Sequence, residues 1–504
     1  EQALNGKAIV LPQKTDSYLV WSDQAAKYAA GPALDEERSY WQQIEETMLA
    51  PLPKDEDQEP GTIRDTESVT VTWSAEETDL LLRQANRAYH TETNDLLLTA
   101  LGAAIQRWTG MEQILVNLEG HGREMIVPDL DITRTVGWFT TQYPVLLNLQ
   151  GGQEVSAQIK RIKENLREVP HKGIGYGLLK YMAPEKGTRF SVEPEVSFNY
   201  LGQFDQDLEG NALSLSTHSV GKALSDHTPQ QYALDVNGMI AEGQLSLTIT
   251  YSNRQYRKET VSHFAELLQS SLSEVIQHCV TQERSQLTPS DVLFQGLTLE
   301  QLDRLTAQTA HIGEIEDVYK LTAMQKGMLF HSLLEPDSSS YFEQATFELR
   351  GSFDVDIFFE SFQALAQRHA ILRTGFYNNI TDVPLQVVFK QRPIPLNYVD
   401  LRAGTLQEQE AQIQAYTTED MAKGFSLSED PLMRVTVMQK EQSHLVLWSF
   451  HHIVMDGWCI PIITQELFDY YSALRQQVQP VLPPAQPYSR YIEWLDAQDD
   501  QESS

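Results

Sequence analysis

Apolar and polar positions along the 504 residues follow helical and extended periods in two long stretches, one up to about Gln286 and one from Tyr319 onward. Both interleave helix and strand patterns in the manner of an α/β or α+β domain. In the first, Leu97, Leu101, Ala104, Ile105 and Trp108 recur at helical spacing behind Thr93 or Asn94, residues suited to an N-cap. A strand is predicted over Gln113 to Leu118, running into Glu119-Gly-His-Gly-Arg123. Between the stretches, residues 287–318 read as a linker with one short helix. Thr298 and Gln301 form a capping box there, and Leu299, Leu302 and Leu305 follow. In the second stretch Thr322 and Gln325 cap a helix carrying Met328 and Leu329. Phe358 to Leu372 reads as another helix with Phe362, Leu365, Ala366 and Leu372 inward. Leu445-Val-Leu-Trp-Ser-Phe450 reads as a buried strand ending on His451-His452.

An internal echo links the two ends. Leu11-Pro12 is followed by Tyr18 and Trp21, and Leu482-Pro483 by Tyr491 and Trp494, with the same spacing between the two aromatics. The match is short, and it points to a chain that starts and stops at equivalent places of two related units. The first residue is Glu1 rather than Met, which is expected of a partial sequence.

Length allows about three domains or lobes. Hydrophobic residues at 41% and charged residues at 21% fit a globular chain able to bury large cores without a metal or disulfide. With 38 basic against 70 acidic residues the net charge is -32, which argues against nucleic acid or an anionic membrane as the main partner. Cys279 and Cys459 lie in different halves and form no metal-ligand cluster, a usage that fits a reducing cytoplasm. No targeting signal is visible. The most apolar stretch, Leu445 to Ile463, is broken by His451, His452, Asp456, Gly457 and Pro461 and cannot span a bilayer.

His451-His-Ile-Val-Met-Asp456-Gly457 carries the strongest chemical pattern. A strand ending in adjacent histidines offers one imidazole to a cleft and the other to the interior, and neutral imidazole accepts a proton near pH 7. From spacing alone a structural histidine pair fits as well.

This segment resembles the His-His-x-x-x-Asp-Gly signature of condensation domains, which share the chloramphenicol-acetyltransferase-like fold. Two companions precede it in the family's order. Leu321-Thr-Ala-Met-Gln-Lys-Gly-Met-Leu-Phe-His331 resembles the opening segment, and Arg368-His-Ala-Ile-Leu-Arg373-Thr-Gly-Phe376 resembles the Arg-His-x-x-Leu-Arg-Thr-x-Phe segment. The resemblance implies that His452 is the base or positioning group for the acceptor amine. It implies structural roles for His451, Asp456 and Gly457, and makes Arg373 the ion-pair partner of a buried Asp456. Heterocyclisation is disfavoured, because that branch has Asp in place of the leading histidines.

The first stretch is similar to successive epimerization-domain motifs. These are Asn94-Asp-Leu-Leu-Leu-Thr-Ala-Leu-Gly102, Glu119-Gly-His-Gly-Arg-Glu124, Arg134-Thr-Val-Gly-Trp-Phe-Thr-Thr-Gln-Tyr-Pro144, Pro170-His-Lys-Gly-Ile-Gly-Tyr-Gly177 and Phe198-Asn-Tyr-Leu-Gly-Gln203. Their order makes the likeness specific, whereas the Pro170 segment alone is only a turn-rich loop. The implied chemistry removes and returns a proton at the α-carbon of a carrier-bound aminoacyl or peptidyl thioester. Glu119 resembles the catalytic carboxylate, and Gly120 and Gly122 let the backbone turn to aim it. Arg123 and Tyr200 match positions tied to activity, with electrostatic help to the enolate as their role. His121 and Glu124 are expected to be structural.

The resemblance implies an α/β (α+β) architecture of two chloramphenicol-acetyltransferase-like lobes joined by a linker. No His-His-x-x-x-Asp-Gly precedes Glu119. Residues 1–30 are therefore expected to be the tail of an epimerization-domain N-lobe, 31–286 its C-lobe, 287–318 the interdomain linker and 319–504 a condensation-domain N-lobe. The opening segment resembles the type that joins a D-configured donor to an L-configured acceptor. The implied whole is a nonribosomal peptide synthetase. Its partners are upstream and downstream peptidyl carrier domains and an adenylation domain of the same synthetase. No cofactor or metal is bound directly, since substrates arrive on 4′-phosphopantetheine arms of carriers outside this stretch. No carrier-type Gly-Gly-x-Ser or adenylation-type phosphate loop is found. A non-catalytic carrier-docking scaffold and a free-standing CoA- or thioester-dependent acyltransferase are the alternatives.

Overall fold

A computed structural model gives the fold. It describes residues 8–152, 154–183, 190–203, 221–335 and 338–498, with Gln2, Gly6 and His218 besides. The chain divides into two compact units, Glu1–Gln286 and Leu287–Ser504.

The first unit is built on a six-stranded sheet. Its strands are β1 (Thr66–Thr72), β2 (Gln113–Gly120), β3 (Thr141–Asn148), β4 (Val196–Gln203), β5 (Leu234–Ala241) and β6 (Gln244–Ser252), in the order β1-β6-β5-β4-β2-β3. The central pairs β2–β4 and β4–β5 are parallel and the outer pairs antiparallel. Alternation splits the two faces. Val116, Leu118, Phe198, Val236, Leu247 and Ile249 are buried against Leu97, Leu101, Phe264 and Leu268 of helices Thr93–Thr109 and Lys258–Val280. The opposite face carries Ser68, Thr70, Asn117, Glu119, Ser197, Asn199, Asp235, Asn237, Thr248 and Thr250. Its hydroxyls pair across strands, Ser68 with Thr250 at 3.0 Å and Thr70 with Thr248 at 2.9 Å.

Helix Thr93–Thr109 differs from its sequence pattern in two respects. It is buried all round from Asp95 to Gln106, because helices Val155–Arg167 and Lys258–Val280 cover it on the sides away from the sheet. Its N-cap is Glu92, whose backbone N–H donates to Asp95 at 2.7 Å, rather than Thr93 or Asn94. Asp95 also receives both arms of Arg167, at 3.1 and 2.8 Å, which keeps a buried carboxylate paired. Helix Tyr18–Ala30 packs within the same unit, with Tyr18 and Trp21 meeting Phe139 edge-on, ring centroids 5.2 and 5.0 Å away.

The second unit holds two sheets made from β7 (Ile315–Lys320), β8 (Phe342–Arg350), β9 (Thr374–Tyr377), β10 (Leu385–Phe389), β11 (Leu396–Asp400), β12 (Met433–Gln439) and β13 (Ser443–His451). The three-stranded sheet runs β7-β10-β9 and the four-stranded one β11-β12-β13-β8. Phe358, Phe362 and Leu365 of helix Val355–Arg368 and Leu467 of helix Cys459–Arg475 bury against Val435, Val437, Val446 and Trp448. That first helix stops at Arg368, and Leu372 enters the core from the short 3-10 turn Ala370–Arg373.

Residues 287–318 do not run free as a linker. Val292, Leu297, Leu302 and Leu305 enter one apolar cluster with Ile315, Val318, Leu385, Val387 and Phe389. Helix Leu299–Thr309 has the expected box, with Gln301 N–H donating to the Thr298 hydroxyl at 3.2 Å and Thr298 N–H to Gln301 at 2.9 Å. Thr322 and Gln325 repeat that geometry at the start of helix Ala323–Leu334. No helix among the described residues is long and apolar enough to cross a membrane.

Candidate functional site

Glu119 closes β2 on the polar face of the six-stranded sheet. It is half-buried, and an amide holds each of its oxygens. Gln142 Nε2 donates to Oε1 at 2.9 Å, and Asn199 Nδ2 donates to Oε2 at 2.8 Å. Strand pairing dictates both partners. Glu119 faces Gln142 across β2 and β3, and the parallel β2–β4 register brings Asn199 level from the other side. The charge expected at this strand end is thus oriented by two donors rather than left to solvent.

The backbone beyond it turns as the glycines require. Gly122 has a φ of +65°, and a Cβ there would lie 1.6 Å from the Phe139 carbonyl oxygen. Gly120 is needed for space, since a Cβ would meet the Thr141 hydroxyl at 2.8 Å. The Pro170 motif abuts this turn. His171 and Lys172 take φ of 42° and 49°, followed by Gly173 at +84° packed on the Tyr143 ring. Consecutive non-glycine residues in the left-handed region store strain.

Two residues expected to help Glu119 stand elsewhere. The Arg123 guanidinium donates to the carbonyls of Ile132 at 2.5 Å and Thr135 at 2.9 Å and lies 4.1 Å over the Phe139 ring. Arg123 therefore fastens the loop before β3, because backbone carbonyls satisfy its fork without a substrate. Tyr200 follows Asn199 by one residue, so alternation turns its ring toward the core side, where it packs half-buried. His121 and Glu124 lie 3.4 Å apart, and the Arg123 N–H donates to His121 at 3.0 Å, a local brace.

Further residues on the Glu119 face were not singled out from the sequence, although Gln142 and Asn199 lie inside motif segments quoted there. Besides Gln142 and Asn199 they are Asn117, Ser197, Asp235 and Tyr232. Asn117 Nδ2 donates to the Tyr232 hydroxyl at 2.9 Å. Burial pushes the Asp235 carboxyl up against hydrogen bonds from Asn237 and Ser197, with Glu119 adding to the rise. The available signal was polar alternation in Ser197-Phe-Asn199 and Asp235-Val-Asn237.

In the second unit β13 delivers the two histidines in opposite settings. His451 is buried, and its Nδ1 accepts from the Ile453 N–H at 3.1 Å. Burial, and then His452, lower its pKa to about 4, so the ring stays neutral near pH 7. It also lines a cavity of about 820 Å³ with Leu329, Phe342, Phe376 and Phe425. His452 is half-buried, and its ring has no hydrogen bond among the described residues. Its backbone N–H donates to the Tyr341 carbonyl at 2.8 Å, and Tyr341 itself has a φ of +65°. Gln325 Nε2 reaches the Ile453 carbonyl at 3.3 Å, so the opening helix props the histidine loop.

The expected pair of Arg373 and Asp456 is not formed. Buried Arg373 donates to Glu316 at 2.6 Å, to the carbonyls of Ala366 at 2.8 Å and Lys390 at 3.2 Å, and to that of Phe389. Asp456 is exposed and accepts from the N–H groups of Trp458 at 3.0 Å and Cys459 at 3.1 Å, capping helix Cys459–Arg475. An exposed aspartate needs no buried counter-ion, and a helix N-terminus is its natural partner. A Cβ at Gly457 would meet nothing within 4 Å. Asp456→Asn keeps a good cap acceptor and should leave the folded yield and melting temperature unchanged. Arg373→Met should cost about 1–3 kcal/mol for each carbonyl left unpaired. Thermal melts of the two variants check this contrast.

Among the described residues no group of His, Cys, Asp and Glu could hold a metal ion. Both cysteines are free, Cys279 buried and Cys459 half-buried.

The family model described as "Condensation domain" matches residues 1–298 and 315–504. A mycosubtilin synthase chain of Bacillus subtilis is 51% identical over 506 residues, covering 100% of this chain and 19% of that protein. Bacitracin synthase 3 of Bacillus licheniformis is 40% identical, over 99% of this chain and 8% of its own length. The chain thus spans less than a fifth of either relative. The epimerization domain from the third module of tyrocidine synthetase B, known from a crystal structure, is 40% identical with a TM-score of 0.52. That match covers 56% of this chain and 64% of the other.

Proposed function

Because the chain belongs to the condensation-domain family along both of its units, we propose that it works within a modular nonribosomal peptide synthetase. The first unit contributes to epimerization of a carrier-bound aminoacyl or peptidyl thioester. The second contributes to peptide-bond formation with the next carrier-bound amino acid. The observation that carries this reading is Glu119, a carboxylate oriented by the amides of Gln142 and Asn199 on a polar sheet face. The similarity of this unit to a solved epimerization domain supports it.

A carboxylate oriented by two amide donors keeps an acceptor direction for the α-proton of a thioester. Substrates arrive on 4′-phosphopantetheine arms of peptidyl carrier domains, loaded by an adenylation domain. His452 stands at the end of β13 as base or positioning group for the acceptor amine. The test is α-proton exchange with solvent deuterium, measured beside peptide formation on loaded carriers in the intact synthetase. Absence of exchange in an otherwise competent synthetase overturns the reading.

Stereochemistry gives a second expected result. Two-face proton transfer has little preference at one centre, so epimerization alone delivers a mixture of D and L thioesters. The next bond-forming step must then select, and the unit carrying His452 follows in sequence. With exchange blocked by Glu119→Gln, carriers loaded separately with D or L donors should react at rates differing at least tenfold, about 1.4 kcal/mol, in favour of D. Equal rates or an L preference would overturn it.

A further inference from the structure

Removing an α-proton from a thioester places negative charge on two atoms in turn. The base takes the proton, and negative charge moves onto the thioester oxygen as an enolate. A site that only supplies the base leaves that oxygen unsupported, and preorganised donors there are worth much of the rate. In this structure the Arg123 guanidinium is engaged by the carbonyls of Ile132 and Thr135, and Tyr200 packs toward the core.

Of the hydroxyls on the Glu119 face, those of Ser68, Thr70, Thr248 and Thr250 pair with one another and that of Ser197 bonds Asp235, which leaves the phenol of Tyr232. Tyr232 precedes β5, and its oxygen accepts from the Asn117 amide at 2.9 Å. Asn117 and Glu119 are alternate residues of β2, pointing the same way and about 7 Å apart along the strand. The Tyr232 hydroxyl held by Asn117 therefore stands on the same face as the Glu119 carboxylate, whose charge acts on it. Because the Tyr232 oxygen already accepts one bond, its proton is free to point outward.

We propose that Tyr232 is a catalytic residue of the first unit, the donor that stabilises the enolate oxygen while Glu119 takes the α-proton. The inference rests on the epimerization reading above. The step balances within the site: the α C–H bond breaks, the proton goes to the Glu119 carboxylate, the freed pair becomes the C=C bond of the enolate, and the carbonyl π pair goes to the thioester oxygen hydrogen-bonded by the Tyr232 O–H. The ionisable groups acting on Tyr232 are Asp235, Glu119 and Tyr181, and together with burial they raise its pKa, so the hydroxyl keeps the proton it must donate. Asn117 is the positioning residue that fixes the oxygen.

The experiment measures solvent deuterium exchange and peptide formation side by side in the intact synthetase. Tyr232→Phe should lower the exchange kcat about 10²–10³-fold, as for loss of one such donor, and leave peptide formation from a pre-loaded D donor untouched. Tyr200→Phe should change exchange less than Tyr232→Phe. If the phenylalanine variant folds poorly, 3-fluorotyrosine at position 232 keeps the shape and makes the hydroxyl more acidic. It should then raise the exchange rate, which a merely structural tyrosine would not do. Exchange in Tyr232→Phe within threefold of the parent, or a rate indifferent to hydroxyl acidity, overturns the inference. Glu119→Gln run in parallel separates the two failures: if it too exchanges normally, the epimerization reading itself has failed.

Discussion

Replacing Glu119 by glutamine in the intact synthetase should lower α-proton exchange by at least about 10²–10⁴-fold, the usual contribution of a positioned base, and leave peptide-bond formation from a pre-loaded D donor at its parent rate. Glutamine matches the carboxylate in size but cannot take a proton at neutral pH. The site should tolerate it. The carboxylate accepts from Gln142 and Asn199, and a side-chain amide offers one acceptor and one donor. Turning the terminal group of either partner therefore restores both bonds. The variant should fold with an unchanged melting temperature, so that loss of exchange reports chemistry. Glu119→Asp shortens the reach by one methylene and should give up one of the two amide bonds, with an intermediate loss. Deuterium incorporation at the α-carbon, read by mass spectrometry on the carrier-bound species, is the measurement. Near-normal exchange in the glutamine variant would remove Glu119 from the reaction.

The second large effect is expected at His452. His452→Ala should slow peptide formation about 10²–10⁴-fold if the imidazole accepts the proton of the attacking amine, and should leave α-proton exchange untouched. Its half-buried ring has no partner among the described residues, so truncation removes little structure. A loss much smaller than this range would assign the residue to positioning. His451→Ala is the contrasting variant. That ring is buried, accepts from the Ile453 N–H at 3.1 Å and touches the core, so its removal should lower the yield of folded protein. Single-turnover peptide formation separates the two, because His452→Ala should remain soluble and slow.

Local grammar made much of this legible in the sequence. Capping boxes at Thr298 and Thr322, the strand feeding Glu119 and the strand feeding His451 each depend on residues within a few positions, and each stands where the pattern puts it. Where tertiary packing decides, the pattern under-reads. The Leu97 stripe marks only one face of a helix that neighbours bury all round, although Leu96, Leu98, Ala100 and Ala103 carry apolar character to its other sides. The Arg373–Asp456 pairing failed for a different reason. Arg373 finds its carboxylate in Glu316 and its remaining acceptors in backbone carbonyls, so Asp456 is not called on. The polar lining around Glu119 was the least visible part. Asn117, Asn199 and the Tyr232–Asp235 stretch lie far apart in sequence and meet through the parallel register of β2, β4 and β5.

The segment 287–318 bears on where such assembly lines can be recombined. A graft that takes the second unit from residue 319 onward would look natural from the motifs, since it keeps the opening helix, both histidines and Asp456. It would leave Val292, Leu297, Leu302 and Leu305 behind, opening the cluster they share with Val387 and Phe389. At about 1.5–3 kcal/mol for each fully buried side chain, that exceeds the margin by which many domains stay folded. A donor segment beginning at Leu287 carries its own plug. Chimeras joined there should express as soluble protein, while those joined at residue 319 should depend on how closely the host's own segment matches the exposed seat.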